Sequence, residues 1–341
     1  MDYKELNLIG STSPHIRTRA GTSQIMGEVI VALIPALCFA IYNFGWRALA
    51  TTLVSVLGCC AFEWVYRAAM GKNNTVGDLS AVVTGMLIAF VCPVTIPYWM
   101  LLVGDFFAIV IVKQLFGGVG KNFLNPALAA RAFMFSWAGA MTTWVGSRAG
   151  VPIFGKVDIA TCATPLSYLA NNDLEGLRQV YDLPDMLVGL IGGSMGEVSA
   201  LLLILGGLYL VMRKIITLYA PLSFIGTVAL VTFLFPCGND PLTWMLYHLL
   251  GGGLMLGAFF MATDYVTSPV SHRGQVIFGV GCGLLTVFIR YFGAYNEGVC
   301  YAILVMNLLV WMIDKEITHA RYGAEEKPKW TWKRKKEAEE A

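Results

Sequence analysis

Two hydroxyls, a carboxylate and a proline are gathered in the stretch DIATCATP, Asp158 to Pro165, and their types and spacing bear on one kind of chemistry. A threonine hydroxyl becomes an attachment point when it is exposed, uncrowded and held out of a helix. Thr161 and Thr164 are separated by the small residues Cys162 and Ala163, and Pro165 biases Thr164 toward extended backbone. Asp158 stands three residues before Thr161, a spacing that serves recognition by a modifying enzyme or simply caps a turn. The residues alone leave both readings open.

Other groups with chemical potential sit in apolar surroundings. Glu28, Glu63, Asp105, Glu197 and Asp264 are carboxylates within or beside apolar runs, where a charge is costly and calls for a function or a partner. Glu63 has Arg67 one helical turn on, which reads as a structural pair. Asp105, in the middle of a run, and Glu197, in a glycine-interrupted one, are the candidates for a cation path. Asp264 reads as an interfacial or capping residue near a run's end. GGVGKNFLNP, Gly117 to Pro126, resembles a phosphate cradle only superficially. Its spacing is not that of a P-loop, and a tight turn with Asn125 capping a helix begun at Pro126 accounts for it better. The four histidines, His15, His248, His272 and His319, have no ligand spacing. No cysteine belongs to a CxxC pair, so no metal cluster is expected on this chain and the thiols read as small packing residues.

The elements that must position these groups are membrane helices. Of 341 residues, 57% are hydrophobic and 13% charged, with a mean hydropathy of +0.65, a balance no water-soluble core accommodates. A net charge of +2 gives no footing for nucleic acid. About 20 apolar residues span a hydrocarbon core, and about ten runs qualify: 24–44, 48–69, 79–92, 98–115, 125–143, 186–212, 216–236, 241–262, 275–291 and 296–313. The third is short and stops at Pro93, and GGSMGE interrupts the sixth, so broken or re-entrant helices are expected at both. The polar residues before the first run lack a cleavage site, so that run is expected to remain as a span. The expected fold is therefore all-α and polytopic.

Basic residues set the orientation. His15, Arg17, Arg19, Arg67, Lys72, Lys113, Lys121, Arg213, Lys214, Arg273 and the tail KPKWTWKRKK fall on one side, leaving Arg47, Arg148, Lys156, Arg178 and Arg290 on the other. Both termini are expected in the cytoplasm, with the loop 144–185 outside it. The chain then divides into a cytoplasmic lead 1–23, a membrane half 24–143, the outer loop 144–185, a second half 186–313 and a charged tail 314–341, whose lysines suit anionic lipid. GMLIAFVCPVTIP echoes LMLGAFFMATDYVTSP, and KQLFGG echoes RYFGA, five spans apart. Short matches of small and apolar letters also arise by chance; read as a repeat, the odd offset gives an inverted 5+5 arrangement with broken helices near the midplane. Trp99, Tyr98, Trp144 and Trp311 near run ends read as interfacial anchors.

Asp158, Thr161, Ala163 and Thr164 together form D-x-x-T-x-A-T, which resembles the flavinylation motif of the Rnf and Na+-pumping NADH:quinone oxidoreductase (Nqr) families. The likeness extends to SPHIRT, DLSAVVTGMLIAFVCP, KQLFGGVGKNFLNPALAARAF, GGSMGEVSALLLILGG, GAFFMATDYVTSP and EGVCYAILVMNLL, which occur in family order. The sequence is similar to the RnfD/NqrB family, and its short lead before Ser13 resembles the Rnf branch. Cys162 stands where glycine or alanine is usual and Tyr265 where proline is common.

That resemblance implies a bacterial inner-membrane component of a ferredoxin:NAD+ oxidoreductase that moves Na+ or H+. It implies FMN joined through a phosphoester to Thr164 by a flavin transferase acting outside the cytoplasm. It also implies noncovalent riboflavin, and partners among the other Rnf subunits (RnfA, RnfB, RnfC, RnfE and RnfG), which bring iron-sulfur clusters and another covalent FMN. Asn122 and Asn125 become candidates for contact with a flavin or an ion. An NqrB-like component of a quinone reductase, or a flavin-free permease or channel, are the alternative readings.

Overall fold

The computed structural model describes residues 21–146, 162–197, 199–237, 240–293 and 297–317. Asp158 and Thr161 lie outside the described residues, as do both termini. The chain is an all-α multi-pass membrane protein. In order it forms α1 (Thr22–Phe44), α2 (Trp46–Ala69), α3 (Ser80–Val91), α4 (Tyr98–Phe106, continuing as a π-helix over Phe107–Gln114), α5 (Pro126–Met134) and α6 (Ala138–Met141). Then come three short helices, α7 (Pro165–Ala170), α8 (Leu174–Val180) and α9 (Leu183–Val188). The rest are α10 (Ala200–Met212), α11 (Tyr219–Leu234), α12 (Pro241–Leu250), α13 (Leu254–Leu256, continuing as a π-helix over Gly257–Met261), α14 (His272–Phe292) and α15 (Val299–Ile317).

Among the described residues α1, α2 and α14 are each long and apolar enough to cross a bilayer, and α12 with α13 forms one bent pair. Shorter apolar helices α3, α10 and α11 complete the apolar set. The apolar runs drawn from composition, two of them expected to be broken, are thus met by a mixture of full, short and broken helices. Elements and runs otherwise coincide closely. The run 125–143 breaks after Met134, and 241–262, read as one span, bends by 62° at Gly251–Gly253. Gly252 (φ 72°) and Gly253 (φ 63°) supply the left-handed backbone that such a bend needs.

The two expected breaks meet each other. The end of α3 and the GGSMGE segment exchange backbone bonds, Gly196 N–H to Phe90 O at 2.8 Å and Met195 N–H to Cys92 O at 3.4 Å. Non-helical backbone is tolerated at membrane depth only when protein satisfies its polar groups, and each break here helps to satisfy the other. Gly196 is required for this approach, because a β-carbon there would stand 2.7 Å from Phe90 Cβ. Around this junction α2 packs on α3 and α4, while α11 packs on α12 and α14, which in turn carries α15. Phe90, Leu254, Leu256, Phe259 and Ile303 join both halves in one core.

Candidate functional site

Thr164 precedes α7 with φ −73° and ψ 155°, the extended backbone that Pro165 at the first helical position favours. Its hydroxyl makes no capping hydrogen bond to α7. The segment is not the open loop its composition suggests. Thr164 is only 9% exposed, whereas Ala163 beside it is exposed and Cys162 half-buried. Pro165 and Leu166 pull the threonine down, since Leu166 and Leu169 enter a cluster with Leu177, Tyr181, Met186, Ile191, Trp244 and Tyr247.

Three hooks fix this segment. Tyr181 donates its phenol to Ala163 O at 3.0 Å, and Tyr247 donates to Tyr181 O at 2.9 Å. Cys162 N–H bonds Trp144 O at 3.1 Å. Burial, followed by the neighbouring Cys162 thiol, pushes the Tyr181 phenol upward from its ordinary pKa, so it remains a donor. Beneath, Leu166 rests on the Gly251–Gly252 bend. Arg290 of α14 binds the carbonyls of that bend, through Nη1 to His248 O (2.6 Å) and Nη2 to Gly251 O (3.0 Å) and Gly252 O (3.5 Å). Glu197 is buried beside it, Oε1 lying 3.0 Å from where Gly253 would carry a β-carbon and finding no hydrogen-bond partner among the described residues. His248 packs edge-on to Trp244 (5.0 Å between centroids) and Tyr291 (5.6 Å). Thr164 and Glu197, well separated in sequence, thus flank one bend.

Asp105 belongs to a different wall. Its Oδ1 lies 2.7 Å from Ser55 Oγ and 3.5 Å from Cys59 Sγ on α2. It shares no partner with Glu197, so the two carboxylates are not brought into one cage. Glu63 does not pair with Arg67. It is fully buried and binds Lys113 Nζ at 2.7 Å, with Thr75 Oγ1 donating at 2.5 Å and Lys113 also reaching Ser80 Oγ at 2.8 Å. The π-helix carries Lys113 inward, and a buried carboxylate takes the buried ammonium in preference to a guanidinium on its own helix. Glu28 is engaged by Tyr209 and Arg213, and Asp264 accepts from Thr267 Oγ1 at 3.1 Å in the turn before α14, whose own N-cap is Ser271.

Asn125 caps α5 as the turn chemistry requires. Its Oδ1 accepts from Ala127 N (3.1 Å) and Leu128 N (3.4 Å), and its Nδ2 donates to Met261 O at 3.3 Å. Asn122 donates to Leu124 O at 3.1 Å. Both border a cleft of about 100 Å³ whose polar lining includes Thr84, Lys113, Thr263 and Asp264. Asn125 is committed to shaping the wall, and Asn122 is the more available of the two.

Arg290, Lys113 and Tyr181 are site residues that sequence reasoning misses. Arg290 and Lys113 carry a signal, because each is a cation interrupting or ending an apolar run. Tyr181 carries none.

The family model described as the NQR2, RnfD, RnfE family matches residues 9–323. The chain belongs to this family. A curated relative from Acetobacterium woodii, named as the D subunit of a Na+-translocating ferredoxin:NAD+ oxidoreductase complex, is 47% identical over 94% of this chain and 96% of its own. One from Clostridium ljungdahlii, named as the D subunit of a proton-translocating ferredoxin:NAD+ oxidoreductase complex, is 41% identical over 92% and 95%. The D subunit of an ion-translocating oxidoreductase complex from Stutzerimonas stutzeri is 38% identical over 92% and 97%. The resemblance to RnfD drawn from the ordered sequence blocks is thereby borne out, and the relatives are members of oxidoreductase complexes.

Proposed function

We propose that this chain is the membrane flavoprotein component of an Rnf-type ferredoxin:NAD+ oxidoreductase complex, with FMN held by a phosphoester at Thr164. The supporting observation is the state of Thr164 itself: extended backbone, a hydroxyl uncommitted to the α7 cap, and the small Ala163 at the surface beside it. A threonine hydroxyl is the group a phosphoester needs, so the residue type fits the cofactor, and with Thr164 only 9% exposed the transferase must act before this cover forms or displace it. When bound, FMN supplies reversible electron acceptance. The chain's part is to remove the group's freedom to diffuse, which turns electron exchange into a matter of position. Tyr181 steadies the backbone at Ala163, and the Leu166 contact ties it to the Gly251–Gly252 bend.

In this reading the halves are inverted about the membrane plane, the termini are cytoplasmic and the Thr164 segment faces outward, within reach of the flavin transferase. One centre on the outer surface does not cross roughly 30 Å of hydrocarbon. A noncovalent riboflavin, and the partners RnfA, RnfB, RnfC, RnfE and RnfG, complete the electron path, with Asn122 and Asn125 as candidates for contact with a flavin or an ion. Asp105 and Glu197 belong to the route of the coupling cation, Na+ or H+. The deciding experiment is in-gel flavin fluorescence of the denatured chain produced with the transferase. Wild type is expected to fluoresce and Thr164→Val to be dark. A Thr164→Val chain that still glows removes Thr164 from the role, and a native chain whose Thr164 peptide is unmodified by mass spectrometry leaves the flavin-free permease as the better reading.

A further inference from the structure

The α2–α3 contact is close because Gly85 has no side chain: a β-carbon there would meet Val56 Cα at 2.7 Å and Ser55 O at 2.9 Å. This closeness sets Ser55 Oγ 2.9 Å from Gly85 O on α3, and 2.7 Å from Asp105 Oδ1 on α4. Ser55 owns a single hydroxyl proton. Gly85 O accepts only, and an ionised Asp105 would accept only, so one proton would have to serve two hydrogen-bond-length contacts. A neutral Asp105 resolves the conflict, with Oδ1–H donating to Ser55 Oγ while Ser55 donates to Gly85 O.

A second observation points the same way. Asp105 is 0% exposed, and its Oδ2 is buried with no hydrogen-bond partner among the described residues. It lies 3.0 Å from where Gly58 would carry a β-carbon. A buried carboxylate charge needs donors on both oxygens, whereas a neutral acid tolerates an idle carbonyl far better. The nearby cations that could compensate a charge are taken. Lys113 is bound to Glu63 and Ser80. Arg131 of α5 is bound to Glu297. The remaining titratable neighbours, Cys59 on α2 and Cys92 after α3, are thiols. Hard cations such as Ca2+ and Mg2+ take about six or more oxygens, whereas the hydrogen-bond partners of Asp105 among the described residues are one hydroxyl, Ser55 Oγ, and one thiol, Cys59 Sγ.

We infer that Asp105 is a proton-binding site inside the α2–α3–α4 wall, holding H+ as a neutral carboxylic acid hydrogen-bonded to Ser55, and not a ligand of a metal cation. The inference sharpens the placement of Asp105 on the cation route and is independent of the flavin at Thr164.

Infrared difference spectroscopy of the assembled complex in membranes tests it at neutral pH. Wild type is expected to show a protonated-carboxylic-acid carbonyl band that shifts in D2O, is lost in Asp105→Asn and is unmoved by added NaCl. Ser55→Ala keeps the acid but removes its acceptor, so the band should persist and move to higher frequency. This variant keeps the test decisive should Asp105→Asn assemble poorly. Thr164→Val should retain the band, which separates this proposal from the flavin reading. A band lost in Asp105→Asn with H+ or Na+ transport intact leaves the protonated acid standing and removes Asp105 from the route. The proposal is overturned if wild type and Asp105→Asn share the same carbonyl region, if Ser55→Ala leaves the band in place, or if NaCl converts the acid band to a carboxylate band.

Discussion

Leu166 Cδ1 lies 2.1 Å from the position where Gly252 would carry a β-carbon. The segment bearing Thr164 is therefore keyed into the bend between α12 and α13, and the bend is shaped by a residue with nothing to offer but backbone. A side chain at Gly252 faces three penalties: the left-handed φ of 72°, the collision with Leu166 and an approach of 2.8 Å to Arg290 Nη2.

Gly252→Ala is accordingly expected to destabilise the outer segment by more than the backbone cost alone, about 1–2 kcal/mol for a non-glycine residue in left-handed conformation. Leu166 must leave its seat to accommodate the methyl group. Compared with Leu166→Ala alone, the combined variant Gly252→Ala/Leu166→Ala should lack the Leu166 collision but keep the backbone cost and the close approach to Arg290 Nη2. Thermal unfolding of the detergent-solubilised chain measures both, and equal melting temperatures for wild type and Gly252→Ala would contradict the keyed contact.

Arg290 holds the same bend from the other side. Replacing it by Met leaves the carbonyls of His248 and Gly251 without their guanidinium donor, and hydrogen bonds to charged groups contribute roughly 1.5–3 kcal/mol each. A loss on the order of 3 kcal/mol is expected, read as a lowered melting temperature and lower yield. Arg290→Lys should not restore it, because a single ammonium does not reproduce a fork that spans successive carbonyls. Full rescue by Lys would mean that the charge alone matters.

These two cases show how far the sequence could be read. The apolar runs and the breaks at Pro93 and GGSMGE were legible because bilayer thickness and glycine chemistry act locally. The 62° bend was not, since Gly251, Gly252 and Gly253 stand within an apolar run and their backbone depends on what Arg290 and Leu166 press upon from elsewhere. Pairings failed for the same reason. Arg67 is adjacent to Glu63 along the helix, but Lys113, 50 residues away, is brought to it by packing. Thr164 was legible as a residue type, while its near-complete cover by the Leu166 cluster required the tertiary structure.

Tyr181 gives the outer segment a pH limit. Its phenol is the donor to Ala163 O, and burial raises its pKa above the ordinary value of 10.0 that it takes when unfolded. Stability from a raised acid is fully present below the unfolded value and is lost as pH climbs through the folded one. The hook should thus hold through neutral pH and weaken above about pH 10. Tyr181→Phe should remove that alkaline loss and cost about 1 kcal/mol at neutral pH. Stability measured across alkaline pH, with phenolate absorbance as the second signal, checks it. An unchanged alkaline limb in Tyr181→Phe would assign the effect to another group.

The Glu63–Lys113 pair supplies the sharpest contrast between single and double substitution. Both side chains are almost wholly buried, Lys113 reaching across from the π-helix that continues α4 to a carboxylate on α2. Either Glu63→Gln or Lys113→Met leaves the surviving charge without its counterion, a change that costs about 3–5 kcal/mol when the site is dry. Removing both charges abolishes the desolvation problem together with the attraction, so Glu63→Gln/Lys113→Met should be far closer to wild type than the sum of the single changes. A double-mutant cycle on unfolding of the solubilised chain measures the coupling. Additive single effects would show that Thr75 and Ser80, which also bond the two charges, compensate each one separately. That outcome would turn the pair from a tie between helices into two independently solvated ions, and α4 would then be anchored to α2 by packing and by the Asp105–Ser55 hydrogen bond.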